Sequence, residues 1–234
     1  SNFITPVMTL VAAGDDRQIT FLTTQSTFSG LAAQADDGVQ VQVHVTATTA
    51  SMVLDGDAEN SSTDDPDNKV TVADTKILKA AMTLHATAGS IVATGAMTLS
   101  AENGIVIHDT LTGSSSTSKP IVINADHDSN ASQQLGGTGQ QDGVLTIQSG
   151  KTLTSTNNLV TITAFDVDID GSITTGTVGA TIHGSVNAQT VGLGVSPVVD
   201  TAGSPVQTKL ELDGNELQRI TTGGGLTLGN GRSG

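Results

Sequence analysis

Cysteine, tryptophan and tyrosine are all missing from these 234 residues, and phenylalanine occurs four times. Without cysteine there are no disulfides, no zinc–thiolate sites and no thiol catalysis, although the compartment stays open. Without large rings a thick globular core is hard to fill, because aromatic side chains bury the most area per residue. Basic residues are also scarce: nine Lys and Arg stand against 23 Asp and Glu, a formal net charge of −14. Nucleic acid needs a basic footprint to neutralise phosphates, and an anionic membrane surface would repel so acidic a chain. Neither is expected as a partner. No run of about 18 apolar residues occurs, so no helical membrane span is expected.

What is present is aliphatic and β-branched. Val, Ile, Leu, Ala and Met supply nearly all of the 36% apolar content, with Thr, Gly and Ser abundant between them. β-Branched residues favour strands. One phrase, apolar–Thr–apolar, keeps returning: "MTL" at 8–10, 82–84 and 97–99, "VTV" at 70–72, "LTI" at 145–147, "VTI" at 160–162, "ATI" at 180–182 and "LTL" at 226–228. In a strand its outer two side chains point one way and Thr the other. A longer repeat aligns 51–62 with 120–132 and then matches Val72 with Ile147, Leu78 with Leu153 and Ala86 with Ala164, two degenerate modules over 51–119 and 120–191. No stretch carries a convincing helical period.

Short strands divided by Gly, Asn and Ser can make a β-sandwich or a parallel β-solenoid. A sandwich core wants aromatics and its strands are joined by hairpins, whereas a solenoid core is thin enough for stacked aliphatic side chains. The expectation is therefore all-β: a parallel β-helix (β-solenoid) over 1–191, interrupted by irregular acidic loop excursions. The segment 192–208, with two prolines, reads as a linker or loop, and 209–234 as a further β coil. The opening "SNFITPV" lacks the basic start and apolar core of a signal peptide, and "GGGLTLGNGRSG" stops on a strand-like phrase. Both ends read as cut, so the chain is expected to continue as part of a longer one.

Candidate chemistry is acidic. "DVDIDG" places Asp166, Asp168 and Asp170 at alternate positions before Gly171, like the front half of a calcium loop, but position 12 of such a loop is Thr177 rather than Glu. The other reading is a strand with Val167 and Ile169 inward, Phe165 as a rare large core residue, and the aspartates on a wet face. Two loops, 54–68 and 124–130, offer Asp55, Asp57 and Glu59, then Asp126 and Asp128, with Asp64, Asp65 and Asp67 adding charge. Hard oxygen ligands of this kind suit calcium over transition metals; the plain reading is a soluble, self-repelling excursion. Asn60 and Asn130 open N-glycosylation triplets in the same loops. The histidines at 44, 85, 108, 127 and 183 show no ligand spacing, and "HDT" at 108–110 before "GSSSTS" puts His, Asp and Ser near one another only in sequence. No enzymatic activity is expected: a carbohydrate groove wants sugar-stacking rings, and arginine occurs only at 17, 219 and 232.

"MTLSAENGIVI" (97–107), "VLTIQSGKTLTS" (144–155) and "LELDGNELQRITTGGGLTLG" (210–229) resemble the β-strand repeats of large secreted surface proteins, the filamentous-haemagglutinin-type adhesins among them. That resemblance implies a right-handed parallel β-helix in a long extracellular adhesin or fibre. The expected function is a non-enzymatic structural one, as a segment or subunit of an extracellular or cell-surface filament. Its partner would be itself, by end-to-end stacking or within a longer chain. The alternative is an adhesin module whose acidic loops meet glycans or surface proteins, with calcium as the sole candidate cofactor.

Overall fold

Val160, Thr161 and Ile162 show the local rule: the valine and isoleucine are fully buried and the threonine between them faces out. A period of two is what a strand with one dry and one wet side requires. The computed structural model describes residues 7–59, 67–86, 89–129, 143–187, 189–194 and 209–229. All but two of its described strands form three parallel sheets, the faces of a coil. The first face holds β1 (Val7–Ala12), β4 (Gly30–Ala35), β7 (Met52–Asp55), β10 (Leu84–Ala86), β13 (Gly104–Ile107), β16 (Val144–Ile147) and β19 (Asp166–Ile169). The second holds β2 (Ile19–Phe21), β5 (Val39–Val41), β8 (Val70–Val72), β11 (Ile91–Ala93), β14 (Leu111–Thr112), β17 (Thr152–Thr154), β20 (Ser172–Thr174) and β24 (Ile220–Thr221). The third holds β3 (Ser26–Phe28), β6 (Val45–Ala47), β9 (Lys76–Ala80), β12 (Met97–Ala101), β15 (Ile121–Asn124), β18 (Val160–Ala164), β21 (Ala180–Gly184) and β25 (Leu226–Leu228). Within these faces, strands consecutive in the chain lie on different faces, and each pairs with the strand one coil away. This is the parallel β-helix expected from the repeat.

Stacking is in register. On the first face Met8, Leu31, Met52, Leu84, Ile105, Leu145 and Val167 lie over one another, at chain intervals of 23, 21, 32, 21, 40 and 22 residues. A coil thus takes about 21–23 residues, and two are lengthened. The extra residues fall between β7 and β8 and between β15 and β16, in the two acidic segments identified in the sequence. The repeating unit of the sheets is this single coil. The sequence match of Val72 with Ile147 and of Leu78 with Leu153 crosses from one face to another, because all three faces share the same in–out alternation.

The interior is one side chain thick and almost wholly aliphatic. Leu78, Leu99, Ile123, Ile162 and Ile182 form a fully buried column on the third face. Beside it Ala47, Ala80 and Ala101 stack where the corner leaves room for a methyl group. Phe21 and Phe28 meet edge to face, with centroids 6.1 Å apart. Phe165 departs from expectation: it is half-buried at a corner, while Val167 and Ile169 do enter the core. The "MTL" at 82–84 also departs, since Met82 is exposed on the corner before β10 begins.

Corners carry the buried polar work. Asn158, almost fully buried, follows Thr156 and Asn157, both with left-handed backbone. Its amide nitrogen donates to the carbonyls of Ser114 and Ser116, each at 2.9 Å, and its oxygen accepts from Lys119 N at 2.8 Å. One side chain therefore pins a corner to the coil below it. Asn158→Ala would orphan those groups, and leaving each buried polar group unpaired costs about 1–3 kcal/mol. Denaturant unfolding should show a loss of that size or greater. In the same assay Leu99→Ala should cost about 2–5 kcal/mol by cavity formation, while the outward Thr98→Ala stays within about 0.5 kcal/mol. Equal effects at 98 and 99 would contradict the in–out assignment.

Candidate functional site

The aspartates of "DVDIDG" sit at a seam. Past β21 the chain forms β22 (Thr190–Leu193), then β23 (Lys209–Leu212) and α1 (Gly214–Gln218) before β24. β23 packs beside β19 but pairs its backbone with β22. Amides of β19 and β23 that would otherwise lack ladder partners are taken up by carboxylates. Asp166 Oδ1 accepts from Val167 N and Glu211 N, both at 2.9 Å, and Glu216 Oε1 accepts from Ile169 N at 3.0 Å. The other oxygen of Glu216 accepts from Asp213 N at 2.8 Å, while Asp213 caps the helix by accepting from Asn215 N and Glu216 N. This reciprocal capping box explains a short helix missed in the sequence; its signal, Asp213-x-x-Glu216, was there to be read.

Seen this way, the three aspartates have separate places. Asp166 is half-buried in the seam, Asp168 faces outward, and Asp170 lies 3.4 Å from Arg219, whose guanidinium also donates to Ile169 O. Gly171 has a packing reason: a Cβ there would collide with the carbonyls of Lys151 and Gln148 in the coil beneath. Burial, with the charges of Glu211 and Glu216 adding to it, pushes the Asp166 carboxyl from 3.8 up to about 6, against the lowering effect of its two amide bonds. Burial likewise raises Asp168, helped by Asp170, and raises Glu216.

The other acidic candidates are dispersed. Asp55 accepts from Asp57 N at 3.3 Å at the start of the first excursion, and Glu59 is exposed shortly after it. Burial and the neighbouring Glu59 raise the carboxyl of Asp36 on the coil beneath. The excursion returns through Asp67, whose N–H donates to Asp37 Oδ1 at 2.9 Å; Lys69, 2.7 Å away, lowers its carboxyl. In the second excursion Asp126 is buried and accepts from the Ser185 hydroxyl, while Asp128 is exposed. Asp64, Asp65 and the two glycosylation candidates, Asn60 and Asn130, lie outside the described residues. Among the described residues no group of three or more His, Asp or Glu is arranged to hold a metal ion.

His108, Asp109 and Ser114 do not converge: His108 meets His85, Asp109 pairs with Lys151 at 3.0 Å, and the Ser114 hydroxyl donates to Thr94 O. The pairing of His85 with His108 across two coils was invisible to a search for short histidine spacings. No family model, curated protein or solved structure matches the chain.

Asp166 makes the seam sensitive to pH. Its folded pKa is raised above the unfolded value, so the folded state binds the extra proton between 3.8 and about 6. Its contribution favours folding in the acid limb and is lost as pH rises through about 6. Asp166→Asn retains an acceptor oxygen without the charge. At neutral pH it should stabilise the C-terminal coil by up to about 2–3 kcal/mol and flatten stability between pH 4 and about 6. A destabilised variant with an unchanged pH profile would refute this role.

Proposed function

We propose that this chain is a non-enzymatic structural element, a segment or subunit of an extracellular β-solenoid fibre or cell-surface filament. The observation that carries the reading is the in-register stack of up to eight strands per face, a repetitive geometry that further rungs extend along one axis. At about 4.8 Å per rung, eight rungs make a rod of about 34 Å, and added coils or chains extend it along one axis. Acidity supports the same reading, since like-charged rods stay apart laterally while joining at their ends. Self-association end to end, or continuity within a longer chain, is the partner relation this implies.

A second reading rests on the excursions. Two coils are expanded to 32 and 40 residues, and the added chain is acidic. Exposed loops on a rigid rod are where an adhesin would meet glycans or surface proteins, with calcium bridging acidic groups. Electron microscopy of purified protein separates the two. The structural reading expects rods or filaments growing in length and not in width, while compact isolated particles would contradict it. Binding on a glycan array that depends on calcium and disappears when 56–69 or 125–143 is shortened would favour the adhesin.

A further inference from the structure

Asp36 and Asp37 follow β4 at a corner of the coil, and both are buried. Asp37 has donors for both oxygens: Oδ2 accepts from Gln18 Nε2 at 3.0 Å and Oδ1 from Asp67 N at 2.9 Å. Asp36 differs. Its N–H donates to Ala12 O at 2.9 Å, which fixes its backbone over the first coil. The residue is only 2% exposed, yet its Oδ2 is buried without a hydrogen-bond partner. Leaving a buried acceptor unpaired is costly.

The first excursion supplies the missing group. Ala58 N–H donates to Ala35 O at 2.9 Å, which brings the next residue, Glu59, into side-chain contact with Asp36. Two ionised carboxylates are acceptors only, so neither can satisfy the other. A single proton between them turns one into a donor and makes a charge-assisted O–H···O bond. We infer that Asp36 and Glu59 form an acid-operated clasp: one shared proton fastens the root of the first excursion to the coil beneath, and its loss loosens that root. The surroundings are mostly acidic. The turn before β2 brings Asp15, Asp16 and Arg17, the corner brings Asp37, and the excursion brings Asp55, Asp57 and Asp67, the last paired with Lys69. Burial, then the charge of Glu59, holds the Asp36 carboxyl above its ordinary 3.8; Asp15 adds to this and the amide of Asp16 opposes it. The folded state therefore takes up the proton more readily than the unfolded chain. The clasp contributes on the acid side and is lost as pH rises through the raised value. The second excursion is rooted without such a pair, since Asp126 accepts from the hydroxyl of Ser185. Acid should tighten the first root and not the second.

Amide hydrogen exchange of the full chain, resolved by NMR and corrected for intrinsic rates, tests this. The Ala58 N–H should be severalfold better protected in mild acid than at neutral pH. The Ala73 N–H, which donates to Val41 O at another corner, should show no such change, and its protection reports that each variant is folded. Asp36→Asn and Glu59→Gln each place a permanent N–H donor in the contact, so both should keep Ala58 protected at neutral pH and abolish its pH dependence. Glu59 is exposed, so Glu59→Gln serves where Asp36→Asn does not fold. Equal protection of Ala58 at both pH values in the unaltered chain, or a pH dependence that survives in the folded variants, would overturn the clasp.

Discussion

The backbone amides and carbonyls of the face strands find their partners in the coil above or below, and that requirement shapes everything else. A parallel ladder cannot close within one coil, so no coil is stable by itself. Buried backbone groups left unpaired are costly, and the stack meets the demand by holding register through seven and eight strands per face. Between β19 and β23, which pack together without a shared ladder, side chains take its place. Asp166 and Glu216 accept the amides that a neighbouring strand would have taken. The acidic seam is thus a repair of the ladder, and the raised carboxyl of Asp166 follows from placing a charge where a backbone carbonyl would sit.

The same constraint decides where charge can go. Residues in one outward column stand about 4.8 Å apart on successive rungs, so like charges stacked there repel at every step. The outer column of the second face runs Thr20, Gln40, Thr71, Val92, Thr112, Thr154, Thr174 and Thr221, without a single charge. Much of the chain's acidity is accommodated instead at corners, in the excursions and at the seam. A net charge of −14 and a regular stack are compatible only because they occupy different places.

Composition made the architecture legible. Absence of rings argued for a thin core, and the triplets "VTV", "LTI", "VTI" and "ATI" are strands with Thr outward. Excursions were legible too, since an acidic, Asn-rich stretch cannot continue an aliphatic column. Coil length was harder to see: with three faces sharing one alternation, Val72 matches Ile147 as well as any residue on its own face. Phe165 misled because size suggests burial, whereas the core has little room for a ring away from Phe21 and Phe28. At the site level, little was legible. The partner of Asp166 lies 45 residues away at Glu211, and His85 finds His108 only once the coil pitch is known. Contacts between coils depend on register, which no local spacing encodes.

Register is therefore the quantity to measure. Thr27, Thr46, Lys79, Ser100, Asn124 and Thr163 form one outward column. The chain has no cysteine of its own, so spin labels can be attached cleanly at Thr27→Cys and Thr163→Cys for electron–electron distance measurement. Five rungs predict a narrow distribution centred near about 24 Å, and moving the first label to Thr46→Cys should shorten it by about 5 Å, one rung. A broad distribution, or a distance that does not shorten when the label climbs a rung, would contradict the in-register coil.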